Sequence, residues 1–296
     1  MRALATFSAL AFLLLSRPPQ APAQAPLGAP WDSVAAVLRA PGAAARGYYR
    51  YSLPRRDLTL TVGDVTVSPA LALGSWAGFS GTGRDATVMG DLVLTAGEVK
   101  PVLAELARQR LAVTAVHNHL VGEEPRLTYV HFHGEGRALD LAARLDRVLA
   151  RTGTPRPVAP PAPEPLTIDT ALVFRTLGTS GTAHGAVAQV GFVLVPGTVT
   201  LHGRRVVPAM GYASPVSVQR VSDGRAVATG DFALAADRVE PVLGALAGHG
   251  ITATAMHTHL VGERPRLYYV HFWADGPLPE VLTGLRAALD AARGRR

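Results

Sequence analysis

The 296-residue chain contains no cysteine. That excludes disulfides, thiolate metal ligands, a thiol nucleophile and a lipid-modified cysteine behind an export signal. Any metal must be held by histidine and carboxylate, and stability must come from packing alone. Lysine is almost absent as well. Lys100 is the only one, so the formal charge of +7 rests on arginine. No arginine cluster is interleaved with aromatic residues, which argues against nucleic acid as a partner. The chain also lacks a Gly-x-Ser-x-Gly elbow, a Walker loop, a dinucleotide fingerprint and a His-Glu-x-x-His helix, so the familiar hydrolase and cofactor classes have no footing. Nowhere does an apolar run reach the ~18 residues of a membrane span.

What is present begins with an export-like start. Arg2 supplies a charged beginning, Ala3 to Leu15 an apolar stretch, and Ala21-Pro22-Ala23 a small-residue cleavage pattern. Residues 1–24 therefore read as a signal peptide. The mature protein is expected to be exported, periplasmic or secreted, with no transmembrane segment. Losing Arg2 and Arg17 would take the charge from +7 to +5, enough for loose association with an anionic envelope surface.

The most informative stretch runs His117-Asn118-His119 through His131-Phe132-His133. It returns 140 residues later as His257-Thr258-His259 through His271-Phe272-Trp273, and 14 of the 20 positions from His117 to Gly136 are identical in the second copy. Short β-forming runs flank a Gly/Glu/Pro loop, which predicts a hairpin in each copy, at 111–133 and 251–273. Alternate strand residues share a face. Placing His119 opposite His131 then puts His117 opposite His133, with all four imidazoles on one side. The second copy offers His257, His259 and His271, with Trp273 in place of the fourth histidine. Clustered histidines at this spacing point to a divalent metal, zinc above all since no sulfur ligand exists. The first copy, being better furnished, is the expected holder.

Other polar groups gather round this pattern. Glu123, repeated as Glu263, follows the second histidine by four residues and is a candidate general base; His-x-His-x-x-x-Glu resembles the opening of cupin sites. Arg126, repeated as Arg266, could hold a small anionic ligand. Asp91 and Asp231 each follow glycine, a turn pattern that could also partner a histidine. Arg55, Arg56, Asp57 and Glu98 have no counterpart in the second copy.

Elsewhere the chain repeats one unit. Thr95-Ala96-Gly97-Glu98 is a capping-box pattern, and Val99, Val102, Leu103 and Leu106 form a helical stripe with Pro101 in its first turn. Leu71 to Phe79 reads as a glycine-interrupted strand. Residues 25–152 form repeat 1, 153–166 a proline-rich linker and 167–296 repeat 2. The expected fold is α+β: two tandem repeats, each a mostly antiparallel sheet with two to three helices, packed as a pseudo-dimer.

Pro54-Arg55-Arg56-Asp57, Gly90-Asp91-Leu92-Val93-Leu94-Thr95, Val113 to Leu120 and Pro125 to His131, with their second-copy counterparts, resemble the LppY/LpqO family of exported bacterial envelope proteins, a domain of unknown function. The resemblance implies an envelope address and no reaction. The site alone is similar to that of acetolactate decarboxylase, which implies that a His-x-His strand and a third histidine can hold catalytic zinc. Two functions follow from these readings. One is a metal-dependent hydrolase or lyase; the other is a non-catalytic envelope module that binds a metal or ligand.

Overall fold

The computed structural model describes residues 28–295; the export signal expected at 1–24 lies outside them. The first copy runs α1 (Trp31–Leu38), β1 (Gly42–Ala45), β2 (Tyr48–Pro54), β3 (Leu60–Val62), β4 (Val65–Val67), α2 (Pro69–Ala72), β5 (Gly74–Gly81), β6 (Ala86–Thr95), α3 (Ala96–Arg108), β7 (Ala112–His117), β8 (Glu123–Glu124), β9 (Leu127–Gly136) and α4 (Ala138–Leu149). The second runs α5 (Thr170–Leu177), β10 (Gly181–His184), β11 (Val187–Phe192), β12 (Thr200–Leu201), β13 (Arg204–Arg205), α6 (Pro208–Gly211), β14 (Ser214–Arg220), β15 (Arg225–Leu234), α7 (Ala236–Gly248), β16 (Thr252–His257), β17 (Tyr268–Pro277) and α8 (Leu278–Ala292). Among the described residues no helix is long and apolar enough to cross a membrane.

Each copy builds a six-stranded antiparallel sheet, in the orders β1-β2-β5-β6-β9-β7 and β10-β11-β14-β15-β17-β16. Strand alternation gives each sheet two apolar faces. Val88, Leu92, Val130 and Phe132 bury against the stripes of α1, α3 and α4. The alternate set, including Tyr48, Met89, Val93 and Tyr129, packs against residues of the other copy. The result is helices outside and two sheets facing each other inside, the expected α+β pseudo-dimer. The short helices cross over: α6 of copy two lies on β6, and α2 of copy one on β14 and β15. Ion pairs tie the edges, Arg204 to Asp85 at 2.7 Å and Arg225 to Asp64 at 2.6 Å.

Several local expectations change. Leu71 to Phe79 is not one strand. Ser68 caps the amide of Ala70 and Pro69 takes the first helical position, so a helical turn precedes β5. The capping box at Thr95 and Glu98 is present, but Pro101 is the sixth residue of α3, in its second turn. Arg55 is buried and held by Asp57, by Glu98 at 2.7 Å and by the Val93 carbonyl at 2.6 Å. This polar group, unique to copy one, is thus a structural ion-pair network. Gly153 donates to Glu98, and Val158 to the Arg39 carbonyl, so the start of the proline-rich segment is fastened to the first copy.

Gly90 and Gly230 are required by close approach between strands. A Cβ on Gly90 would sit 2.3 Å from the Trp76 carbonyl oxygen, and one on Gly230 2.1 Å from that of Pro215. Replacing either with alanine forces neighbouring backbone apart, a cost of about 1–3 kcal/mol or more. Gly244, inside α7, has nothing within 4 Å of such a Cβ, and alanine there should stabilise by roughly 0.5–1 kcal/mol. Thermal unfolding should therefore drop for Gly90→Ala and Gly230→Ala and rise for Gly244→Ala. Equal effects at all three would contradict this packing.

Candidate metal centre between the two copies

The hairpin pairing decides where the histidines go. His117 lies opposite Tyr129 and Ala115 opposite His131; beyond a bulge between Val113 and Ala115, Ala112 faces His133. The expected register, with His119 opposite His131 and His117 opposite His133, is therefore wrong by four residues. The parity survives at the histidine end, so His117 and His131 share a face, their rings parallel with centroids 5.0 Å apart. His119 lies just past the end of β7. There Asn118 donates to the Leu120 carbonyl at 3.0 Å and to Thr254 of the other copy at 3.1 Å, while the hydroxyl of Thr254 donates to the His119 carbonyl.

These inner faces meet, and the two hairpins form one cluster. His117 stacks on His257 at 3.8 Å, His119 meets His271 at 3.8 Å, and His131 stacks on His259 at 4.0 Å. Each contact joins one copy to the other. The Nε2 atoms of all six are buried and have no hydrogen-bond partner. Among the described residues, two groups of imidazole ligand atoms within 4.8 Å of one another mix the copies at this cluster: His117, His131, His257 and His259, and His117, His119 and His271. Asp231, His259 and His271 form a group within copy two, and His133, Glu135 and His202 one apart from the cluster. Where separate sites were expected, a better one in copy one and a weaker one in copy two, the structure brings the histidines of both copies into one cluster.

Supporting contacts orient the rings. Asp91, read from sequence as a turn residue, stands in the middle of β6 directly opposite His131, as Asp231 stands opposite His271. Asp91 lies 3.8 Å from His119 Nε2 and 3.9 Å from His131 Nε2. Asp231 lies 3.8 Å from His259 Nε2. His271 Nδ1 contacts the Asp231 carboxylate and, at 3.1 Å, the Gly230 carbonyl, which leaves Nε2 free as an acceptor or ligand. The ring of Tyr129 covers His119 at 3.9 Å and that of Tyr269 covers His259 at 3.6 Å. Their hydroxyls are anchored on the Ala72 and Gly211 carbonyls. Sequence reasoning passed over both tyrosines, although each recurs at the same place in its copy.

The remaining expected residues sit elsewhere. His133 is one pleat further along β9, its Nε2 3.4 Å from Glu135, which also meets His202 of copy two at 3.4 Å. It does not join the six. Glu123 pairs with β3 and accepts weakly from the Leu127 amide at 3.4 Å, away from the imidazoles. Its counterpart Glu263 is buried over the same turn. Arg126 is exposed. The cluster borders a cavity of about 590 Å³ between the sheets, lined by His119, His131, His259, Asp91, Asp231 and Arg50 among others. Glu98, Asp57 and Arg126 do not line it.

Burial controls the charge. Desolvation, with the neighbouring imidazoles adding repulsion, pushes His117 down to about 4 and His131 to about 4. His119 and His259 lie well below the ordinary histidine value for the same reason. The rings are thus neutral at pH 7, the state that ligates metal. Burial raises Asp91 to about 6, the charge of Asp231 adding to the rise.

A histidine depressed in the folded state gives stability that is present above its unfolded value of 6.5 and lost as pH falls toward its folded value. Asp91 works with the opposite sign, but one carboxyl opposes at least four imidazoles. Chelator-treated protein should therefore lose stability to denaturant steadily from pH 6.5 to 4. A His117→Gln, His131→Gln double variant should show a shallower fall. A flat wild-type profile over that window would contradict the buried neutral cluster.

Comparison with known proteins supplies a family and little more. No curated protein matches the chain. Among solved structures, a double-ringed trimeric shell protein from the RMM microcompartment aligns over 72% of this chain and 84% of its own, at 10% identity and a TM-score of 0.19. A likeness that low carries no argument about fold or function. A family model does match twice, over residues 32–151 and 171–291. The chain therefore belongs to the family described as Domain of Unknown Function (DUF1259), carried here in two tandem copies.

Proposed function

We propose that the protein binds divalent metal, zinc in the first instance, between its two copies, and acts as a metal-dependent hydrolase or lyase. The observation that carries this reading is the convergence of six buried imidazole Nε2 atoms without partners. A donor set of neutral imidazoles with nearby carboxylate suits zinc, manganese, nickel or iron, and zinc best where no soft ligand competes. The bound ion would supply Lewis acidity, polarising a carbonyl or a water.

The chain's own residues would do the rest. Asp91 and Asp231 are the carboxylates at the cavity, so the proton-accepting role considered for Glu123 moves to Asp91. Its raised pKa of about 6 suits a group that takes up and releases a proton near neutrality. The tyrosine rings exclude water from the outer side of His119 and His259. The cavity beside the centre favours an enzyme over the alternative, a non-catalytic module holding a metal or ligand. We also propose, on the signal-like residues 1–24 and the pieces shared with the LppY/LpqO group, that the protein is exported to the envelope.

Tag-free protein incubated with zinc should carry one to two ions per chain by elemental analysis. His117→Ala and His257→Ala should lower that content alike, and His133→Ala should leave it unchanged. If only first-copy substitutions matter, the shared centre is wrong. If the wild type takes up no zinc, manganese, nickel or iron, the imidazoles are structural.

A further inference from the structure

The two halves of the cavity are not equivalent. Arg50 and Gln189 hold the same ladder position in the two copies, Ala43 facing one and Thr182 the other. Both line the cavity. Gln189 is committed, donating to the Ala70 carbonyl at 2.8 Å and to Ser217 at 3.3 Å. Arg50 instead sits over the Trp76 ring, its guanidinium carbon 4.4 Å from the ring centroid, with Tyr48 beside it. Two arginines that bridge the copies are paired with carboxylates: Arg204 holds Asp85 and Glu135, and Arg225 holds Asp64 and Asp275. Arg50 makes no close ion pair among the described residues, and the one carboxylate whose charge reaches it is Asp91.

Strand geometry fixes where this cation stands relative to the centre. On β2, Tyr49 and Tyr51 face the helices while Tyr48 and Arg50 face the partner sheet. Moving across the sheet, Trp76 on β5 lies opposite Asp91 on β6, and Asp91 opposite His131 on β9. Two strand spacings separate β2 from β6, roughly 10 Å. Copy two closes the space from above with Met210 of α6, which approaches Gly78, and with His259. A half-buried guanidinium over an indole can offer an edge for two parallel hydrogen bonds, the geometry that fits a carboxylate. Burial lowers its pKa from the ordinary arginine value, and Tyr48 and the charge of Asp91 offset this only in part.

We propose that Arg50 is the anchor for the carboxylate of a small organic acid, seated against Trp76 with its far end toward Asp91, His131 and His259. A volume of about 590 Å³ suits a metabolite-sized ligand. The second copy, with Gln189 in place of Arg50, would not bind one, so a single acid occupies the chain. This assignment replaces the exposed Arg126 as the anion-binding residue. It rests on the proposed metal centre only for what lies at the ligand's far end.

The test is calorimetric titration of succinate, with inorganic phosphate as the comparison, into zinc-loaded and into chelated protein at fixed ionic strength. Wild type should bind succinate. Arg50→Gln should weaken it by roughly ten- to a hundredfold with unchanged zinc content, and Arg50→Lys should weaken it less, keeping the charge but not the fork. Independently of any variant, succinate should shield Arg50 of the wild type from phenylglyoxal, read by peptide mass. The inference is overturned by Arg50→Gln binding as wild type does, by no succinate binding in either form, by unshielded Arg50, or by Arg50-dependent binding of phosphate without succinate. Arg50-dependent succinate binding by a protein that takes up no metal would uphold this inference and sink the metal centre.

Discussion

The constraint on which the structure depends is the face-to-face packing of two sheets whose inner faces carry histidine. A buried nitrogen without a partner costs about 1–3 kcal/mol, and the centre holds six. Left bare, they would consume much of the roughly 5–15 kcal/mol by which a domain is stable. Protonation offers little relief, because burial and mutual repulsion hold His117, His119, His131, His257 and His259 neutral. Something that accepts imidazole lone pairs resolves the conflict, and a divalent cation does so with the fewest assumptions. The surrounding features fall into place around that requirement. Gly90 and Gly230 let strands approach closely enough to set each Asp beside its His, and the tyrosines close the outer side.

Duplication alone would give two equal half-sites. Instead the symmetry is kept where the imidazoles meet and broken around them. The six rings pair across the copies, 117 with 257, 119 with 271 and 131 with 259. Away from them, Arg50 faces Gln189 in the equivalent place, and His133 is matched by Trp273. The bridging ion pairs are one-sided as well, with both arginines, Arg204 and Arg225, in copy two and both aspartates, Asp85 and Asp64, in copy one. A centre shared equally, inside a cavity furnished unequally, is how one ligand could be oriented by two copies of one unit.

Much of this was legible in the sequence, and the failures have physical causes. Hydrophobic period and capping residues located the helices, and the spacing of His117 and His131 put them on one face, because strand parity is strict. The register error arose because the loop after His117 is pinned by contacts to Thr254, which local patterns do not encode. Asp91 was misread because Gly-Asp usually marks a turn; here the glycine answers the Trp76 carbonyl and the aspartate stays in the strand. Arg50 was overlooked in a tyrosine-rich run, although its place on the face opposite Tyr49 and Tyr51 was the available signal. The meeting of the two hairpins was invisible, since which inner face packs on which depends on contacts between residues 140 apart. One clue did exist: the three histidines that each copy brings to the cluster stand at identical positions in the two copies.

The central claim is that one centre is built from both copies, and anomalous diffraction from a zinc-soaked crystal tests it most directly. The account predicts anomalous density among the six imidazoles, with each peak touched by Nε2 atoms from His117, His119 or His131 and also from His257, His259 or His271. Peaks bound by one copy's histidines alone, or found only at His133, Glu135 and His202, would contradict it.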